Sequence, residues 1–384
     1  MTGSSLPDIH GFCPERFARV RDAFAANFTD APEGLNELGA RFSVCIAGEP
    51  VIDLWAGHAD TGRTRPFAAD TLVPVFSTGK AIMALLMATA VERGKLAYEE
   101  RVADLWPAFG QAAKDRVTVG QMMSHQAGLP GFAEAVPPEL WFDPPAVLER
   151  LAAQAPMWEP GTASGYHPIT IGYLAGELFR LVEGRSMGQA LLQDFALPHD
   201  LDLWIGLPEA EHHRVAQMRK PSAAPDLGVI DDVKRAAFLD RGSSPGGRGS
   251  VEWRTMEIPS ANLHGTALGL ARLMSVMSMG GVLDGRTVLS PSVLHQATRE
   301  RIHGQDRVVP FVMSWAAGFM RNKGRGIFGP NPETVGHAGW GGSCAFADPA
   351  RGVSAAYVMN RQSPHLMGDP RSLRLIEALY SALT

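Results

Sequence analysis

Cysteine is scarce in this chain of 384 residues. Only Cys13, Cys45 and Cys344 are present. An odd, widely spaced set with no Cys-x-x-Cys excludes a disulfide framework or a structural zinc site, and free buried thiols are expected. The pair His212-His213 has no nearby acids at ligand spacing, so neither a metal nor a cofactor is expected. No run of 18 apolar residues without a charge occurs, which excludes a transmembrane helix of ordinary length. Positive charge is in deficit, with 35 Lys and Arg against 40 Asp and Glu, and a net charge of −5 gives no basic face for nucleic acid. The first eight residues, Met1 to Asp8, lack the basic and apolar regions of a secretory signal, so a cytoplasmic protein is expected. The sequence carries no indication of oligomeric state.

What the chain does have is enough apolar material, 45% of residues against 20% charged, for a large globular core. Helical spacing of Phe17, Val20, Phe24 and Phe28 predicts a helix over 11–27. Strand-like runs at 41–47 and 51–55, divided by Gly48-Glu49-Pro50, predict a hairpin. Helices are expected over 78–93, 117–124, 169–183, 266–279 and 373–383, and strands over 315–320, 343–347 and 353–359. Residues 241–250, rich in Gly and Ser, read as a surface loop rather than a pocket wall. Strands at both ends with helices between them predict an α+β (mixed α/β) fold with an antiparallel sheet flanked by helices. One lobe would be built from 11–75 and 300–384, and a mostly helical lobe, 76–299, would be inserted between them with a site in the cleft.

Lysine is also rare, with six in the chain, and one of them stands three residues after a serine in Phe76-Ser77-Thr78-Gly79-Lys80. That spacing puts both side chains on one face of a helix. The run that follows, Ala81 to Ala88, has no polar face, so the helix is expected to be buried all round. A lysine there is desolvated and can act as a base, and a serine beside a base can act as a nucleophile. The pair proposes acyl transfer through a serine ester. Tyr166, in Gly161-Thr162-Ala163-Ser164-Gly165-Tyr166-His167-Pro168, sits on a turn-rich loop before a helix. Near a protonated lysine its phenolate would be stabilised, so it could serve as base and then as acid. The stretch Gly336 to Ser343 reads as a glycine-rich opening to a strand, where a substrate can approach backbone N–H groups closely.

Together, Ser77-x-x-Lys80, Tyr166 and His337-Ala338-Gly339 resemble, in order and interval, the motifs of the serine β-lactamase and penicillin-binding-protein superfamily. The flanks Gln121 to Pro130, Trp158 to Gly161 and Ala261 to Ala267 agree, and the likeness runs from about residue 15 to 380. It is most similar to the class C-like branch, and there to the family VIII carboxylesterases, through Tyr166-His167 and Trp340-Gly341-Gly342.

The resemblance implies a β-lactamase-like fold and a serine carboxylesterase that cleaves short-chain esters through an acyl-enzyme on Ser77. Ser77, Lys80 and Tyr166 would be catalytic. The oxyanion hole would use Ser77 N–H with Trp340 N–H or Ser343 N–H, depending on which register of the third motif applies. His337, Gly339, Trp340, Gly341, Gly342 and His167 are candidate substrate contacts. Where class C enzymes carry Tyr-x-Asn and a leading Lys, this chain has Tyr166-His167-Pro168 and His337, or Trp340 in the other register of the third motif, which implies weak or absent β-lactam hydrolysis and a preference for uncharged acyl esters. The alternatives are a β-lactamase or D-amino-acid peptidase, and a non-catalytic homologue that acts by binding.

Overall fold

A computed structural model describes residues 7–384. Its main feature is a nine-stranded antiparallel sheet. In chain order the strands are β1 (His10–Phe12), β2 (Gly39–Ile46), β3 (Glu49–Gly57), β4 (Ile302–Gln305), β5 (Val312–Trp315), β6 (Met320–Arg321), β7 (Val335–Ala338), β8 (Cys344–Asp348) and β9 (Val353–Met359). They lie in the order β1-β3-β2-β9-β8-β7-β6-β5-β4, so the two ends of the chain meet where β2 pairs with β9.

Alternate residues of the central strands divide between two cores, as a period of two requires. Ala345, Ala347, Ala356 and Val358 join one core, while Phe346, Ala355, Tyr357 and Met359 join the other. The largely small residues of the first set let the helix α4 (Ala267–Ser278) lie close along β2, β8 and β9. The opposite face is covered by α1 (Ala18–Thr29) and α5 (Pro370–Ala382).

Between β3 and β4 the chain is mainly helical. It includes α2 (Gly79–Glu92) and α3 (Thr170–Glu183), which pack on each other. Every residue of α2 from Gly79 to Ala90 is buried, so this helix is an internal strut rather than an amphipathic surface element. None of the described helices is long and apolar enough to cross a membrane.

Three details differ from the sequence-based expectation. The first helix starts later, at Ala18, because residues 10–12 pair with β3 instead. The expected strand over 315–320 is a tight hairpin, with Ala316 N–H donating to Phe319 O at 2.9 Å between β5 and β6. The third motif does not open a strand. His337 and Ala338 end β7, and the glycines form the turn into β8.

Candidate active site

The chain enters α2 through a short helical turn over Phe76–Thr78. Phe76 has a φ of 49°, a left-handed conformation that costs a bulky residue on the order of 1–3 kcal/mol. That kink aims the half-buried Ser77 side chain into a cavity. One turn on, Lys80 is fully buried, and its Nζ lies 3.0 Å from Ser77 Oγ, 2.7 Å from Pro168 O and 2.8 Å from Ser260 O. All three neighbours are uncharged, so desolvation dominates and holds the amine well below the usual lysine range. A neutral amine has two N–H donors and one lone pair. With the two carbonyls taking the donors, the lone pair is left for the Ser77 hydroxyl.

Tyr166 approaches Ser77 from the loop ahead of α3, and its O–H donates to Ser77 Oγ at 2.6 Å. Burial pushes the phenol above the usual tyrosine range. The ring stacks on Trp315, with centroids 5.8 Å apart and planes 5° from parallel, and Lys80 Nζ lies 4.9 Å from its centroid. The loop is tied down by buried Asp306. One carboxylate oxygen accepts from Tyr166, Val308 and Val309 N–H, and the other accepts from Ser164 Oγ and Trp315 Nε1. Asp306 lies 140 positions from Tyr166, and no sequence pattern marks it.

His167, expected as a substrate contact, has a different place. It is fully buried, its Nε2 accepts from Leu129 N–H at 3.0 Å, and its Nδ1 lies 2.5 Å from Gly165 O. Both nitrogens are used in holding the loop, the ring stays neutral with its pKa pushed down to about 3, and it does not reach the cavity. His125, with a φ of 63°, packs edge-on against Tyr166 and Trp315.

The third motif sits beside the serine because Gly339 has no side chain. A Cβ there would come within 2.3 Å of Val75 O and Ser343 Oγ. The turn continues through two left-handed glycines, Gly341 (φ 93°) and Gly342 (φ 131°). Behind it, buried Arg371 donates to Gly341 O at 3.1 Å and is itself paired with Glu37 and Asp369 at 2.9 and 2.8 Å. Gln362 donates to Trp340 O at 3.2 Å. At the end of β7, His337 and Ala338 point to opposite faces, as strand alternation requires, and the turn then brings Trp340 to the cavity. Ala338 and Trp340 line the cavity, whereas His337, Gly339, Gly341 and Gly342 do not. Ser343 turns inward, its Oγ 2.9 Å from both Val75 O and Thr78 Oγ1. His337 is fully buried and neutral, pushed down to about 3 chiefly by burial.

The cavity has a volume of about 890 Å³, within the range of small-molecule sites. Near Ser77 its walls are apolar, formed by residues such as Ile169, Val309 and Trp253. Contrary to the expectation of a surface loop, residues 243–245, 248 and 249 of the 241–250 segment form part of the wall.

The serine–lysine–tyrosine cluster thus sits between the end of β7 and the all-buried helix α2. Residues 24–379 match the family model described as Beta-lactamase, and the chain belongs to that family. It is 35% identical over 377 residues to the Esterase/beta-lactamase LipL of Mycobacterium tuberculosis, covering 94% of this chain and 85% of that protein. Among solved structures, it is similar to a novel penicillin-binding protein homologue from Caulobacter crescentus, at 56% identity and a TM-score of 0.95 over 98% of this chain and 100% of that one. It is also similar to a family VIII carboxylesterase, at 40% identity and a TM-score of 0.90 over the same shares.

Proposed function

We infer that this chain is a serine carboxylesterase acting through an acyl-enzyme on Ser77. The observation that carries the reading is the pair of contacts on Ser77 Oγ, 3.0 Å to Lys80 Nζ and 2.6 Å to Tyr166 OH, in a site where burial holds the amine well below the usual lysine range. The names of the relatives, an esterase/β-lactamase and a carboxylesterase, support the same class. Lys80 is the resting base, because Tyr166 is held protonated. Ser77 Oγ attacks the ester carbonyl as its proton moves to Lys80. Tyr166 O–H, in contact with the same oxygen, gives its proton to the departing alkoxide and takes one back from the Lys80 ammonium. Water then attacks the acyl-enzyme, giving a proton to Lys80, which returns it to Ser77 Oγ as the acid leaves.

The carbonyl oxygen becomes an oxyanion between Ser77 N–H and Trp340 N–H, neither of which has an acceptor among the described residues. Trp340 is preferred over Ser343 because its side chain and that of Ala338 flank the cavity, while Ser343 faces Val75 and Thr78.

Weak β-lactam hydrolysis follows from His337. A β-lactam carries a carboxylate on the ring beside its scissile amide, and the residue standing where the family places a lysine is buried, neutral and away from the cavity wall. Losing a charge-assisted contact costs on the order of 1.5–3 kcal/mol, or roughly ten- to hundredfold. Steady-state kinetics on 4-nitrophenyl butyrate and nitrocefin test this. The kcat/KM for the ester is expected to exceed that for nitrocefin by at least about a hundredfold. The reverse ranking would make the chain a β-lactamase.

A further inference from the structure

The cavity wall carries a charge pattern at odds with the rest of the molecule. The chain is acidic overall, yet no Asp or Glu lines the cavity, whereas Lys220, Arg248 and Arg254 do. His264, also on the wall, is held neutral by burial, so the side chains contribute three positive charges and no negative one.

None of the three cations forms an ion pair among the described residues. The guanidinium of Arg248 lies 4.9 Å from the centre of the Trp340 ring, and its one hydrogen bond, to Ser244 Oγ, is long at 3.5 Å. Arg254 is partly buried, and its Nε is enclosed without an acceptor. Lys220 and Arg248 are exposed and Arg254 is half-buried, and three cations with no acidic group among the lining residues bias the concave wall toward a positive potential. One of the three, Arg248, is linked to the neighbourhood of Ser77 through packed rings. Arg248 covers Trp340, and Trp340 and Trp253 each pack on Phe76, the neighbour of Ser77, at 6.2 and 6.3 Å.

We propose that the cavity selects esters bearing a carboxylate, held by Arg248 and Arg254 at the far end of an apolar arm whose ester carbonyl reaches Ser77. This deepens the carboxylesterase reading and rests on it, and it reverses the preference for uncharged esters expected from His337, because the cations come from other segments of the wall. Apolar lining residues such as Ile169, Trp253 and Val309 offer the arm its surface. The two guanidiniums supply the forked donors that a carboxylate accepts.

The test compares two pairs of substrates matched in size, each an anionic ester against a neutral one. One pair is mono-4-nitrophenyl glutarate against 4-nitrophenyl pentanoate, with the carboxylate on the acyl side. The other is 3-(butyryloxy)benzoate against 3-(butyryloxy)benzamide, with the carboxylate on the leaving group. Within each pair the kcat/KM ratio is independent of how much enzyme is folded. At low ionic strength at least one anionic member is expected to be favoured by roughly ten- to hundredfold. The advantage should shrink in about 0.5 M salt, where charges are screened within a few ångströms. It should fall close to unity in Arg248→Met/Arg254→Met. Ratios near unity for both pairs in the natural enzyme, or an advantage that survives in the double variant, would overturn the proposal. If the neutral esters are hydrolysed without charge preference, only this inference fails. If no ester is hydrolysed at all, the carboxylesterase reading fails as well.

Discussion

Ser77→Ala is expected to lower kcat/KM for 4-nitrophenyl butyrate by about 10⁴-fold or more, to the level of background hydrolysis. The size of the effect follows from the geometry. Both proton-handling groups, Lys80 and Tyr166, converge on this one oxygen, and removing it leaves them nothing to activate. Groups that act as a unit lose nearly everything with one member. The half-buried hydroxyl has few other duties, so the variant should fold normally and show an unchanged circular dichroism spectrum. Activity within tenfold of the natural enzyme would show that Ser77 is not the nucleophile.

Lys80→Met is expected to produce the second largest loss, roughly 10²- to 10⁴-fold in kcat, the usual worth of a positioned general base. Methionine fills a similar volume in the all-buried helix, so the packing of α2 is kept while the base is lost. The pH profile separates a base from a merely structural group. In the natural enzyme, lowering the pH protonates Lys80 and removes the lone pair that faces Ser77, so kcat/KM should fall on the acid side. That fall should be centred well below the ordinary lysine range, because desolvation depresses the amine. Tyr166 is displaced upward, so no loss from its ionisation is expected before the pH passes the ordinary tyrosine range. In Lys80→Met the residual activity should lose the acid limb. A limb that persists unchanged would assign the titration to another group.

Much of this arrangement is legible in the sequence, and the legible parts are the local ones. Ser77 and Lys80 are one helical turn apart, and the apolar run after them reports that the helix is buried. The antiparallel sheet with helices between its two halves can be read from strand-like runs at both ends of the chain. What fails to show is set by backbone direction and long-range closure. His167 follows Tyr166 directly, yet its ring turns to Leu129 and Gly165 while the tyrosine reaches Ser77. In β7 a shift of one residue exchanges the faces, so whether His337 or Ala338 meets the cavity depends on register that composition does not reveal. Asp306, Arg371 and the cations at 220, 248 and 254 are isolated in sequence and become parts of the site only when distant loops close over it.

Intact-mass analysis with a slowly released acyl donor, or with a fluorophosphonate, followed by peptide mapping, tests the acyl-enzyme most directly. The expected result is a single adduct of the mass of the transferred group, on the peptide containing Ser77, absent in Ser77→Ala and formed much more slowly in Lys80→Met. An adduct on another residue, or ester turnover with no covalent species and full resistance to the fluorophosphonate, would contradict the account.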